Sequence, residues 1–90
     1  MYKIEYTSKF KKDYKLAIKR GCKEAVIQHV IRLIANGAPL SFKYKPHKLT
    51  GEYKDCLECH IQPDLLLIWQ IDEIATTLKL IRTGTHSDLF

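Results

Sequence analysis

No stretch of this chain is apolar enough to cross a bilayer. The longest uninterrupted apolar run, Leu65-Leu66-Leu67-Ile68-Trp69, is five residues, against about 20 for a spanning helix. The opening residues Met1-Tyr2-Lys3-Ile4-Glu5-Tyr6 lack the apolar segment of a secretory leader. A cytoplasmic location is therefore expected, and no membrane partner. Cysteine is scarce and odd in number, three residues, which argues against a disulfide framework. Proline (three) and glycine (four) are too few for a flexible linker or a low-complexity segment. With 90 residues and 46% apolar content, the sequence reads as one compact domain over 1–90.

Negative charge is the other scarcity. Ten Asp and Glu face 15 Lys and Arg, leaving a net charge of +5. A basic excess points to a polyanionic partner. The excess is not uniform. Residues 1–54 carry +9 and residues 55–90 carry −4, and the only cations of the second part are Lys79 and Arg82. This partition suggests that holding a polyanion and acting on it fall to different halves of the chain.

The hydrophobic pattern predicts the order β-α-α-β-β-β. Tyr2 to Tyr6 alternates as a short strand, and Thr7 or Ser8 can cap the helix that follows. Phe10, Tyr14, Ala17 and Ile18 recur at helical spacing, and Gly21 is a plausible stop. A second helix spans about Lys23 to Asn36, with Val26, Val30, Leu33 and Ile34 on one face. Residues 38–52 read as a basic loop. Three strands are predicted over Tyr53–Ile61, Leu65–Ile71 and Ala75–Arg82, with turns at Gln62-Pro63-Asp64 and Asp72-Glu73. Such an order implies an α+β domain: a small, mostly antiparallel sheet with an N-terminal helical hairpin packed on one face. The opposite face stays available for a site.

Cys56-Leu57-Glu58-Cys59-His60 has the spacing of a covalent haem-attachment motif. It falls in a predicted strand, where Cys56 and Cys59 face opposite sides of the sheet. The same geometry weakens a zinc site, because chelating pairs sit on turns and there is no second pair. Cys22, Cys56 and Cys59 are read instead as small, half-buried apolar residues. No metal and no cofactor is expected.

Histidine supplies the better chemistry, since imidazole exchanges protons near neutrality. His47 lies in the basic loop, His60 near a strand end, and His86 after a Thr-Gly-Thr turn, whereas His29 lies within the second helix at no special position. Asp64, across the Pro63 turn from His60, can orient or assist one of them. The alternation Leu78, Leu80, Arg82 predicts that the Arg82 guanidinium shares a face with those two leucines. A planar donor on an apolar face suits a phosphate. Cleaving RNA without a metal needs a base for the 2′-hydroxyl, a cation for the charge building on phosphorus, and an acid for the leaving 5′-oxygen. Two or three His, one Asp and one Arg can fill these roles. Lysines can hold the RNA backbone, and Phe90 or a Tyr can stack a base.

Three ordered motifs resemble the YafQ branch of the RelE/ParE toxin superfamily. They are Lys45-Pro46-His47-Lys48-Leu49-Thr50-Gly51, the run from Lys54 through His60-Ile61-Gln62-Pro63-Asp64 to Trp69, and Arg82-Thr83-Gly84-Thr85-His86-Ser87-Asp88-Leu89-Phe90. The resemblance implies a RelE-like fold and a type II toxin that cleaves mRNA in the ribosomal A site and inhibits translation. It also implies a cognate antitoxin, a heterotetrameric complex, and operator DNA bound through that antitoxin. By motif matching, the functional positions are His47, His60, Asp64, Arg82, His86 and Phe90. On chemical grounds His86 is read as the general acid, Asp64 or His60 as the base, Arg82 as the phosphate clamp, His47 as a phosphate ligand, and Phe90 as a support for the base. Lys43, Lys45, Lys48 and Lys54 are the expected RNA contacts. Leu65 stands where some relatives have an aromatic residue, so Trp69 is expected in the core rather than against a base. Two other readings share this fold class or charge: a ParE-type toxin that poisons DNA gyrase without a nuclease site, and an RNA-binding domain that does not cleave.

Overall fold

The computed structural model describes residues 1–90, and its centre is the apolar run singled out above. Strand β4 (Leu65–Asp72) carries five successive buried residues, Leu65 to Trp69. Both of its faces must therefore be covered, and they are. Leu65, Leu67 and Trp69 join a helix-side core, while Leu66 and Ile68 join a smaller cluster with Cys56 and Leu89 on the opposite face. Trp69 lies in the main core, as expected.

Around β4 the sheet has five strands in the order β1-β5-β4-β3-β2. These are β1 (Lys3–Tyr6), β2 (His47–Lys48), β3 (Leu57–Gln62) and β5 (Thr77–Gly84) with β4. All neighbours are antiparallel except β1, which runs parallel to β5. The helical hairpin comprises α1 (Ser8–Lys19) and α2 (Glu24–Ala35). Thr7 caps α1, its hydroxyl accepting from Phe10 N at 3.1 Å and donating to the Leu80 carbonyl at 2.8 Å. Gly21 ends the helix with a positive φ of 98°. The amide of Cys22 returns to Ala17 O and that of Gly21 to Ile18 O, both at 3.0 Å, the bond pair of a glycine-terminated helix. Phe10 and Ala17 of α1 and Ile27, Val30, Ile31, Ile34 and Ala35 of α2 face the sheet. The α+β class, the hairpin on one face and the mostly antiparallel sheet match the sequence reading.

Several local expectations are corrected. The stretch 38–52 is not all loop: His47–Lys48 pairs with β3 as a fifth strand, and Phe42–Tyr44 forms a 3₁₀ turn. The strand expected from Tyr53 starts only at Leu57, because Gly51–Tyr53 is a second 3₁₀ turn and Asp55 takes a left-handed φ of 69°. Ala75 and Thr76 belong to the turn before β5; Thr76 has φ 52°, and the Ala75 amide donates to Asp72 Oδ1 at 3.0 Å. The tail contains a short helix, α3 (His86–Leu89), closed by a reciprocal capping box between Thr85 and Asp88.

One correction concerns a site residue. Arg82 does not share a face with Leu78 and Leu80. Leu80 is opposite Trp69 but Arg82 is opposite Ile68, so Ile81 is an extra residue in β5. An inserted residue reverses the parity of a strand beyond it. Leu78 and Leu80 stay in the helix-side core, and Arg82 emerges on the face of Ile68, at the end of β5 where its guanidinium still reaches Asp13 of α1.

Candidate active site

That parity switch completes a row across the face opposite the helices. Arg82 on β5, Ile68 on β4, Glu58 on β3 and His47 on β2 are successive cross-strand partners. His60, two residues beyond Glu58, is opposite Leu66 on the same face. The β3–β4 turn brings Asp64 beside the end of β5, where α3 starts with His86.

The three histidines of the second half meet there. The His60 ring lies 5.6 Å from that of His86 and 6.5 Å from that of His47, centroid to centroid. Asp64 Oδ1 is 3.3 Å from His86 Nδ1 and accepts from the His86 amide at 3.4 Å. His47 is held at both nitrogens. Nδ1 is 2.9 Å from the Lys45 carbonyl, and Nε2 is 3.1 Å from Glu58 Oε1. A carbonyl only accepts, so His47 Nδ1 carries a proton. Nε2 thus faces a carboxylate that is itself inside the fold. Glu58 is 4% exposed, and its second oxygen has no hydrogen-bond partner.

Arg82 and Phe90 form the other end of the site. Phe90, 64% exposed, meets Tyr53 edge to face at 5.7 Å. The Tyr53 hydroxyl accepts from Arg82 Nη1 at 3.3 Å. Arg82 is also paired with Asp13 of α1, through Nε at 2.6 Å and Nη2 at 3.0 Å. The carboxylate holds the guanidinium pKa above its usual value. Arg82, read from the sequence as a phosphate clamp, therefore already shares its edge with an acid.

The lysines divide. Lys43 and Lys45 border an open cleft of about 610 Å³ together with His60, Gln62 and His29. Lys48 and Lys54 flank a separate depression with Leu57 and Ile71. All four side chains are exposed. His29, to which the sequence assigns no role, thus borders the same cleft as His60. No group of three or more His, Cys, Asp or Glu is arranged to hold a metal ion. The cysteines are free thiols, with Cys56 and Cys59 buried on opposite faces as the strand geometry requires. Burial pushes the Cys59 thiol up to about 12 and the Cys56 thiol upward as well.

Three residues of this arrangement escape the sequence reading: Glu58, Tyr53 and Asp13. For Glu58 the signal was the alternation Cys56, Glu58, His60, which puts all three on one face. For Asp13 it was the single acid in a helix with five lysines.

The chain matches known proteins over its whole length. The family described as "Bacterial toxin of type II toxin-antitoxin system, YafQ" matches residues 2–90. The mRNA interferase toxin YafQ of Escherichia coli K12 is 38% identical over 88 residues, covering 97% of this chain and 94% of that protein. A metal-bound toxin from Helicobacter pylori superposes with a TM-score of 0.94 at 46% identity, with both chains fully covered. YafQ in the E. coli DinJ–YafQ complex superposes with a TM-score of 0.88 at 37% identity, over 100% of this chain and 99% of that one. By sequence and by fold, this chain belongs to the YafQ family of bacterial toxins of type II toxin–antitoxin systems.

Proposed function

We propose that this toxin is an mRNA endonuclease that cleaves by metal-independent acid–base catalysis and is neutralised by a cognate antitoxin. The observation that carries the reading is the cluster of His47, His60 and His86 on one open sheet face, with Asp64 against His86. A gyrase-poisoning toxin has no need of such a set. The names of its relatives support the substrate, since the similar E. coli protein is an mRNA interferase. The DinJ complex of a relative supports the antitoxin partner.

The 2′-oxygen of the RNA attacks phosphorus as the P–O5′ bond breaks. A base removes the 2′-hydroxyl proton and an acid delivers one to O5′, leaving a 2′,3′-cyclic phosphate and a 5′-hydroxyl. His86 is the acid. Asp64 accepts from Nδ1 whether the ring is neutral or charged, so the ring keeps its orientation while Nε2 gains and loses a proton. His60 is the base, because Asp64 is occupied by His86 and His47 by Lys45 and Glu58. His47, held between the Lys45 carbonyl and Glu58, faces the phosphate. Arg82 meets the charge developing on the phosphoryl oxygens. Phe90 supports a base beside the scissile bond, and Lys43, Lys45, Lys48 and Lys54 track the backbone. The ribosome presents the message, and the toxin–antitoxin heterotetramer binds operator DNA through the antitoxin.

Mapping 5′ ends of cellular mRNA after induction tests this, with His86→Ala as the control. New 5′ ends that vanish in the variant, with cyclic phosphate on the upstream fragment, are expected. Intact mRNA with damaged DNA favours gyrase poisoning. Salt-sensitive RNA binding without cleavage leaves only a binding domain. Cleavage of naked RNA at the rate seen with translating ribosomes removes the ribosome from the reading.

A further inference from the structure

Arg82 comes to the site with its guanidinium already engaged. Asp13 Oδ2 accepts from Nε at 2.6 Å, and Oδ1 accepts from Nη2 at 3.0 Å. Oδ2 also accepts from the Thr83 amide at 3.2 Å, which ties the carboxylate to β5 itself. The Tyr53 hydroxyl takes one hydrogen of Nη1. Of five N–H groups, three are used. One on Nη1 and one on Nη2 remain for a phosphate.

An unrestrained arginine explores many rotamers, and ordering it on a ligand costs conformational entropy. A fork-to-fork carboxylate pair removes most of that freedom beforehand. The pair is mostly sheltered, with 20% of the Arg82 side chain and 13% of the Asp13 side chain exposed, so bulk water screens it little. Asp13 is also the single acid of α1, whose other charged residues are Lys9, Lys11, Lys12, Lys15 and Lys19. For a helix that faces a polyanion, an acid at this position opposes attraction. Its bonds to Arg82 and to the Thr83 amide give it another role.

We propose that Asp13 is a positioning residue of the nuclease. It fixes the Arg82 guanidinium so that the two remaining N–H groups meet the phosphoryl oxygens as charge develops. The proposal rests on the endonuclease reading. Asp13 touches no substrate and acts only through Arg82.

A double-mutant cycle tests this on the purified full chain. Cleavage of a defined message is followed by primer extension in a reconstituted translation reaction, well below the melting temperature of every variant. Asp13→Asn keeps the size of the side chain but removes its charge and one acceptor. It is expected to lower kcat about 10-fold and to change KM by less than about 2-fold, because misorientation is felt in the transition state. In an Arg82→Lys background, where no fork exists, the same change is expected to alter kcat by less than about 2-fold. Asp13→Glu, which restores the charge, is expected to recover part of the rate. A merely structural tie between α1 and β5 predicts equal losses in both backgrounds, and that result overturns the proposal. So does unchanged activity in Asp13→Asn, or a gain, which would mark Asp13 as a restraint on Arg82. A wild-type protein that cleaves no RNA overturns the endonuclease reading as well. Wild-type cleavage with equal Asp13 effects overturns the positioning role alone.

Discussion

Gly84→Ala is expected to cost this protein both stability and activity, through a contact that can be worked out in advance. Gly84 closes β5 with φ 154°, a region that L-residues rarely occupy, at a cost of about 1–3 kcal/mol. A Cβ at this position would sit 2.9 Å from Asp88 Oδ2 and 3.1 Å from Asp88 Cβ. Asp88 has little room to retreat. Its Oδ2 accepts from Arg20 Nη1 at 2.7 Å and from the Thr85 amide at 3.0 Å. Displacing it loosens a helix cap worth about 1 kcal/mol and an exposed ion pair that adds little. The total is roughly 2–4 kcal/mol, and a domain of this size loses about 4–8 °C per kcal/mol. A drop in Tm of roughly 8–32 °C is therefore expected in thermal unfolding followed by circular dichroism. Activity should fall with it, because α3 carries His86 and leads into Phe90. Adding Asp88→Ala removes the nearest clashing atom, so the double variant should lose less than the two single losses combined. A Gly84→Ala protein that melts within about 2 °C of wild type, against the shift just scaled, would refute the steric argument. Strictly additive losses would do the same.

Asp88 also makes stability depend on pH at the acid end. Arg20 and the Thr85 amide hold its carboxyl at about 2, so its contribution is complete above about pH 4 and is lost as pH falls through 2. Asp88→Asn should destabilise by about 1 kcal/mol at neutral pH, since the Arg20 side chain is half exposed. Urea unfolding at a series of pH values should show that difference closing below pH 4; a constant difference to pH 2 contradicts the assignment. Thiol titration at pH 8 should label Cys22 first, with Cys56 and Cys59 protected until denaturant is added, as burial requires. Rapid labelling of all three would mean that β3 is not packed on both faces. Charge reversal at Lys43, Lys45 and Lys48 should weaken RNA binding and flatten its salt dependence by about 0.7 in log–log slope per lost phosphate contact. The rate for bound RNA should be unchanged, and a kcat defect would place these lysines in the chemistry instead.

Much of this was legible in the linear order of residues. The spacing of Phe10, Tyr14, Ala17 and Ile18, and of Val30 and Ile34, marked amphipathic helices because such spacing lines up one face. The unbroken run Leu65 to Trp69 marked a strand covered on both sides. Strand alternation placed Cys56 and Cys59 on opposite faces and so weighed against the haem and zinc readings. The motifs around His47, His60 and His86 named the residues that later meet. These are local properties, set by periods of 3.6 and 2 and by turn residues, and they need no knowledge of what lies across the fold.

What only the tertiary structure decided depends on long-range register. One extra residue in β5, Ile81, moved Arg82 to the face opposite Leu78 and Leu80, and no local pattern records where a bulge will fall. Pairing of β2 with β3 put Glu58 beneath His47, so that a buried carboxyl holds the imidazole Nε2 at 3.1 Å. The packing of α1 on β5 brought Asp13 to Arg82 across 69 residues of chain. Sequence chose the candidate groups, but their partners, and hence their orientation, were set by contacts between segments that the chain itself keeps far apart.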